Sequence, residues 1–178
     1  LYEMYATTRA VTLIELMVVI GIIALLAVLI VPVIQRASAR TLQTECMANL
    51  RQIGMGLRQY TLINSYHLPH ATRRPSAPPI GEEAMPGIAE VLEPFLDNME
   101  VMHCPADYGG FFAAEKSSYE WNSLLNGKPV GREKLVIVGV SYEVPLMADY
   151  EPYHIGSSES GKNFLRADGA ISTSFLKP

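Results

Sequence analysis

The chain lacks several features that mark common classes of protein. Its formal net charge is −4, and no stretch interleaves basic with aromatic residues, so a nucleic-acid partner is not expected. Its two cysteines, Cys46 and Cys104, form no C-x-x-C pair, which argues against a zinc framework and a thioredoxin-type motif. The sequence also has no glycine-rich phosphate loop, HExxH pair or nucleophile–base spacing. We therefore do not expect an enzyme.

Charge is missing altogether from residues 16–34, whereas the rest of the chain is moderately polar. A helix rises about 1.5 Å per residue, so this run can cover a bilayer core of roughly 30 Å. A secretory signal peptide has a shorter apolar core, of about 7 to 15 residues, followed by a small-residue cleavage site. No such site opens the polar region here. The run therefore favours a membrane-spanning helix over a secretory signal peptide.

One acid, Glu15, stands at the head of this apolar run. An ionised carboxylate beside lipid is costly unless it finds a partner or reaches the interface. Two interpretations are open. Glu15 either pairs with a cation on a neighbouring subunit, or extends its side chain to the membrane surface.

The helical pattern continues beyond the apolar run. From Cys46 onward, apolar residues recur at spacings of three and four, which is typical of one face of an amphipathic helix. Pro32 is the one interruption, and its missing N–H predicts a kink or local melting nearby. The sequence predicts a single helix of about 50 residues, apolar all round in its first half and one-faced in its second. The residues of that face are Leu42, Cys46, Leu50, Ile53, Leu57 and Tyr60.

After Tyr60 the pattern changes to that of a small mixed domain. Residues 134–140 and 144–149 are apolar and rich in β-branched side chains, and we predict that they are strands. Residues 88–95 can form a short helix. Its buried residues would be Ile88, Val91, Leu92 and Phe95.

The clearest hairpin signal lies near the C-terminus, where Asp168-Gly169 is predicted to be a two-residue turn. That register places Phe164, Ile171 and Phe175 on one face, suited to packing on the long helix. The sequence therefore predicts an α+β fold in which a small antiparallel sheet, with irregular loops, packs on the second half of a long N-terminal helix.

The segment "AVTLIELMVVIGIIALLAVLIVP" resembles the prepilin signal of the type IV pilin and type II secretion pseudopilin superfamily. That signal usually reads Gly-Phe-Thr-Leu-Ile-Glu, followed by an apolar run. Further along, "HCPADYG", "SSYEWN", "PLMADYEPYH" and "NFLRADG" resemble the blocks of environmental-bacterial pseudopilin-like proteins with a His upstream of a C-terminal Asp-Gly. Ala10 and Val11 replace the usual Gly-Phe, and thirteen residues rather than the usual nine separate His154 from Asp168.

The resemblance implies a pilin-like organisation. Residues 1–10 would be a prepilin leader, 11–35 the membrane-spanning half of the helix, 36–64 its amphipathic half, and 65–178 a periplasmic domain. A prepilin peptidase would cut between Ala10 and Val11 and methylate Val11, more slowly than at a glycine. The cationic amine of Val11 would then pair with Glu15 of a neighbouring subunit, which favours the first interpretation of that acid. Pro32 falls where many pilins carry a proline.

The partners implied by the resemblance are the prepilin peptidase, identical or related pilin subunits, an inner-membrane assembly platform and membrane lipid. The chain would be a single-pass inner-membrane protein that assembles into a pseudopilus or pilus-like filament. Two alternatives stay open. One is a membrane-tethered binding or sensor module that does not polymerise, and the other is a periplasmic metalloenzyme on the same anchor.

If the domain lies outside the cytosol, its two cysteines can form a disulfide. Cys46 lies on the apolar face of the predicted helix, and the short 88–95 helix could bring the loop of Cys104 down upon it. A disulfide persists in an oxidising compartment, so we predict a Cys46–Cys104 bond. The alternative is a buried free thiol at Cys46, since cysteine packs well as a small hydrophobe.

Acidic residues near the C-terminus suggest one possible cofactor. Asp149, Glu151 and Asp168, with His154 nearby, could offer the loop oxygens that calcium prefers, and major type II pseudopilins are similar in having acidic C-terminal loops that bind it. Alternatively, Asp168 serves only the turn and the other acids are solvated. No other cofactor is expected.

Overall fold

The computed structural model describes residues 12–81, 84–131, 134–137, 140–154 and 160–176. The chain divides into two compact units, one ending at Ser38 and the other beginning at Ala39. One helix, α1 (Leu13–Ile63, 51 residues), supplies residues to both. The predicted helix of about 50 residues is thus confirmed.

The first unit is the apolar part of α1. The large apolar side chains between Leu13 and Ile34 each expose at least 51% of their surface. This helix, with a mean hydropathy of 3.2 over its most apolar window, is long and apolar enough to cross a membrane. It stays α-helical through Pro32, so of the predicted kink or local melting the melting does not occur. A proline removes one hydrogen bond from the ladder, and the turns on either side of it keep theirs.

In the second unit, α1 presents one buried face. Cys46, Leu50 and Ile53 are fully buried and Leu57 nearly so, while Leu42 and Tyr60 are partly buried against the same core. The predicted face is therefore confirmed. The residues that pack with it include Leu92, Met102, Tyr119, Trp121, Met147 and Leu165.

Short helical segments follow α1 along the chain. The helix α2 (Ile88–Leu92) is followed by a 3-10 turn at Glu93–Phe95, and two further 3-10 turns span Met99–Met102 and Ser123–Leu125. The helix α3 runs from Phe111 to Glu115. The helix predicted over 88–95 is present, with Ile88 and Leu92 buried as expected and Val91 and Phe95 only half-buried.

The six strands of the described residues form two antiparallel sheets. The four-stranded sheet has the order β1-β4-β5-β6, and within the described part of the chain β2 pairs with β3 alone. The strands are β1 (Tyr119–Trp121), β2 (Lys134–Ile137), β3 (Val140–Glu143), β4 (Met147–Asp149), β5 (Phe164–Leu165) and β6 (Ile171–Ser172). The strand predicted over 144–149 corresponds to β4, whereas the single strand predicted over 134–140 covers the whole of β2 and the first residue of β3. Residues 138 and 139 lie outside the described residues.

The β5–β6 hairpin differs from the predicted two-residue turn. The N–H of Gly169 donates to Arg166 O, the N–H of Arg166 donates to Ala170 O, and Gly169 has φ +82°. This is a three-residue loop whose glycine takes the left-handed conformation, and it places Leu165 opposite Ile171.

The shifted register changes which side chains reach the helix. Leu165 is fully buried in the core and Ile171 packs against it. Phe164 instead forms an edge-to-face pair with the half-exposed Phe175, at a ring separation of 5.8 Å. The predicted grouping of Phe164, Ile171 and Phe175 on one face is therefore wrong, since a shift of one residue moves a side chain to the other face.

Candidate functional sites

Glu15 and Thr12 form a capping box at the start of α1. The backbone N–H and the hydroxyl of Thr12 each donate to Glu15 Oε2 at 2.8 Å. In return, the N–H of Glu15 lies 3.3 Å from Thr12 Oγ1. A Thr-x-x-Glu spacing at a helix start satisfies two backbone donors that otherwise lack partners.

This arrangement gives Glu15 a partner within its own chain, which neither interpretation of the sequence considered. The sequence signal for it is "TLIE", whose Thr-x-x-Glu spacing is that of a capping box. The capping box does not exclude pairing with a neighbouring subunit, because a carboxylate accepts several hydrogen bonds. The predicted cleavage and methylation residues, Ala10 and Val11, lie outside the described residues.

A buried disulfide is the centre of a second site. Cys46 of α1 and Cys104 are bonded, with an S–S distance of 2.01 Å, and both are fully buried. The loop of Cys104 is held on both sides, since Asn49 Nδ2 donates to His103 O at 2.8 Å and the N–H of Cys104 donates to Ser118 Oγ at 3.0 Å. The predicted disulfide is thus present in the structure.

His154 and Asp149 lie directly beside this disulfide. His154 Nε2 is 3.7 Å from Cys104 Sγ and 3.6 Å from Asp149 Oδ2. Asp149 ends β4, where its Oδ2 accepts from the N–H of Asn163 at 2.7 Å, and the N–H of His154 donates to Gly161 O at 2.8 Å. Backbone contacts with residues 161–163 therefore hold both side chains in place.

Burial makes this pair prefer its neutral forms. Burial raises the pKa of Asp149 to about 7, although the hydrogen bond from Asn163 and the charge of Lys162 oppose the rise. Burial lowers the pKa of the His154 imidazole. The 3.6 Å between Nε2 and Oδ2 is also longer than an ordinary N–H···O bond, so we describe the pair as a polar contact and not as a formed ion pair.

The structure does not gather the three acids of the possible calcium site. Asp149 is buried beside His154, whereas Glu151 and Asp168 are exposed. Asp168 Oδ1 accepts from the N–H of Ala170 at 2.8 Å and so serves the turn. Within the described ranges, the one candidate metal-binding group is Cys46, Cys104 and His154. Calcium prefers oxygen ligands, which this group lacks.

A cleft of about 560 Å³ opens beside β1 and β4. Trp121 and Met147 line it from these strands, with Leu124 and Phe175 at its more exposed parts. The sequence did not reveal this cleft because its lining residues come from separate parts of the chain. Trp121 itself is fully buried, as expected for a packing residue, and its Nε1 donates to Asn126 Oδ1 at 2.7 Å.

Comparison with protein-family models, curated proteins and solved structures finds no match for this chain.

Proposed function

We propose that the chain is a pilin-like structural subunit. A prepilin peptidase cleaves it between Ala10 and Val11 and methylates Val11, and the mature subunit assembles into a type II secretion pseudopilus or a type IV pilus-like filament. The observation that carries this proposal is α1 itself. A single helix begins with Thr-Leu-Ile-Glu, exposes an apolar stretch with no core of its own, and then supplies the buried face of an α+β domain.

The exposed apolar stretch needs an apolar environment outside its own unit. For a subunit before assembly this is lipid, and within a filament it is the same stretch of other subunits. A simple membrane anchor requires the apolar residues but does not require the same helix to line the core of the outer domain. This continuity supports a subunit that leaves the inner membrane with its periplasmic domain, moved by the assembly platform.

Glu15 would link neighbouring subunits in such a filament. After the proposed cleavage, Val11 carries a free cationic amine, while Thr12 keeps an ordinary amide N–H because Val11 still precedes it. The capping box is therefore compatible with the mature chain and keeps the carboxylate at the start of the helix. In a medium of low dielectric, the amine of one subunit and the carboxylate of the next offset each other's loss of hydration.

A second candidate is a membrane-tethered binding or sensor module. Two observations favour it. The capping box gives Glu15 a use in a chain that never polymerises, and the cleft beside β1 and β4 is large enough for a small ligand. The two candidates differ in whether the chain is cleaved at Val11 and whether it forms filaments.

The test is to express the full chain with and without a prepilin peptidase and to determine the N-terminus of membrane-extracted protein by mass spectrometry. We expect a methylated Val11 only when the peptidase is present, and faster cleavage in Ala10→Gly because glycine is the usual residue there. Ala10→Leu is the matched control that should block cleavage. An N-terminus upstream of Val11 in the presence of an active peptidase would favour the tethered module.

A further inference from the structure

Four side chains with metal-binding chemistry meet in the core of the outer unit. Cys46 comes from α1, Cys104 from the loop after the Met99–Met102 turn, and Asp149 and His154 from the end of β4 and the segment after it. None of the four exposes more than 3% of its surface. The two sulfur atoms and one imidazole nitrogen lie within 4.8 Å of one another. We call these residues the Cys–His–Asp cluster.

The spacing of the cluster resembles that of a tetrahedral zinc site. With Zn–S bonds of about 2.3 Å and Zn–N or Zn–O bonds of about 2.0–2.1 Å, neighbouring S and N ligands stand about 3.6 Å apart, and N and O about 3.3 Å. The observed distances are 3.7 Å from Cys104 Sγ to His154 Nε2 and 3.6 Å from that nitrogen to Asp149 Oδ2. The two sulfurs are bonded here, whereas such a site separates them by about 3.8 Å. Asp149 is not part of the group whose ligand atoms all lie within 4.8 Å of one another, so zinc binding also requires its carboxylate to move toward the sulfurs.

Asp149 provides a second, independent observation. It is fully buried, and its Oδ1 accepts no hydrogen bond from any described residue. An unpaired buried carboxylate oxygen carries the full cost of its lost hydration. A divalent cation at the cluster would compensate that oxygen.

We propose that the Cys–His–Asp cluster is a redox-gated metal site, which binds one zinc-class divalent cation through Cys46, Cys104, His154 and Asp149 when the disulfide is reduced. A dithiol reductant of the thioredoxin class would transfer two electrons and two protons to the Cys46–Cys104 bond, giving two thiols and its own disulfide. The cation then displaces both thiol protons into solvent as two thiolates bind it. A disulfide oxidant of the thiol–disulfide exchange class then accepts two electrons from the thiolates and two protons from solvent to become a dithiol, and the re-formed Cys46–Cys104 bond releases the cation.

The ligand set identifies the class of metal. Two thiolates with one imidazole nitrogen and one carboxylate oxygen, arranged tetrahedrally, suit zinc better than calcium or magnesium, which take oxygen ligands. This site uses no residue of the N-terminal helix half, so it is independent of the proposed filament function.

The experiment compares the oxidised and the phosphine-reduced full chain in detergent micelles. Each is mixed with zinc chloride, desalted and assayed for bound zinc, and cobalt(II) is used in parallel as a spectroscopic probe. We expect one zinc per reduced chain and none in the oxidised chain. With cobalt, the reduced chain should show the intense visible bands of a tetrahedral site with thiolate ligands.

Variants that keep both thiols test the other two ligands. His154→Gln and Asp149→Asn should each weaken zinc binding to the reduced chain by more than the roughly 10- to 100-fold that the loss of an outer-shell partner causes. His67→Gln is the matched control, because His67 is exposed and is not among the residues of the cluster. Zinc affinity that is unchanged in His154→Gln would overturn the proposal.

Near-UV circular dichroism shows whether the reduced chain is folded. If one equivalent of zinc then restores the native spectrum, binding is coupled to folding and the proposal is supported. A reduced chain that is folded and binds no zinc would overturn it. So would a reduced, unfolded chain that zinc does not refold.

Discussion

Thr12 and Glu15 are hydrogen-bonded to each other at the first turn of α1. The backbone nitrogen and the hydroxyl oxygen of Thr12 each lie 2.8 Å from Glu15 Oε2. The acid therefore has a structural role that needs no second subunit. Its proposed role in assembly depends on charge, whereas its role in the capping box also depends on the Thr12 hydroxyl. Substituting Thr12 and Glu15 one at a time therefore distinguishes the role in assembly from the role in the capping box.

Glu15→Ala should be made normally and cleaved normally, yet form no filaments. In the proposed filament, the substitution would leave the Val11 amine of a neighbour unpaired in lipid, which is costly only on assembly. Thr12→Ala keeps the charge and loses the hydroxyl cap, at about 1 kcal/mol of helix stability, so its filaments should persist. Glu15→Asp should be intermediate. The measurements are the cleaved fraction and the yield of sheared filaments. If Glu15→Ala gives the same filament yield as the parent, Glu15 has no role in pairing between subunits.

Local periodicity explains why α1 and its buried face could be predicted. The spacing of Cys46, Leu50, Ile53 and Leu57 is a property of one helix and needs no knowledge of its neighbours. The position of Cys46 on that face also made a bond to Cys104 a reasonable prediction. Strand register was less accessible, because the loop around Gly169 adds a residue that the Asp-Gly signal alone does not announce.

The candidate sites, like the strands, could be predicted only where a short local pattern marks them. The capping box is a short local motif and could have been read from Thr12 and Glu15. The Cys–His–Asp cluster could not, since the sequence separation between Cys46 and Cys104 is 58 and His154 lies 50 residues further on. Motif searches depend on fixed local spacings, and here the ligand atoms are brought together by helix, loop and strand packing.

Removing the disulfide should strongly destabilise the outer unit. The bond joins residues separated by 58 positions, which corresponds to about 4 kcal/mol of unfolding free energy in the chain-entropy description. The double variant Cys46→Ala/Cys104→Ala should lose up to that amount in urea unfolding followed by fluorescence of the single tryptophan, Trp121. Thiol titration of the denatured, unreduced parent should find no free thiol. Two titratable thiols would contradict the bond.

Glu115 should make stability depend on pH in the acidic range. Its burial favours the neutral acid, but hydrogen bonds from the Ser76 hydroxyl and N–H and the charge of Arg74 outweigh this and lower its pKa below the usual 4.5. The native state thus binds fewer protons than the unfolded state there, and the stabilisation present above pH 4.5 is lost as pH falls through the lowered pKa.

Glu115→Gln tests this directly. The free energy of unfolding of the parent should exceed that of the variant near neutral pH, and the difference should shrink as pH falls below 4.5. Lys116→Gln, on the adjacent exposed residue, is the control and should leave the pH profile unchanged. A difference between the parent and Glu115→Gln that is constant from pH 3 to pH 7 would show that the carboxylate contributes no linked stability.

Gly56 should tolerate no larger residue, because the chain after α2 passes close to α1. A Cβ at Gly56 would lie 2.8 Å from Leu96 Cδ2 and 3.1 Å from the backbone oxygen of Phe95. Alanine favours a helix over glycine by about 1 kcal/mol, but relieving this contact requires backbone movement, and overpacking costs about 1–3 kcal/mol. Gly56→Ala should therefore lower the free energy of unfolding measured in urea. Gly54→Ala meets only the end of the Leu165 side chain, at 3.0 Å, and should lose less. If Gly56→Ala is as stable as the parent, the contact between α1 and residues 95–96 is looser than the structure has it.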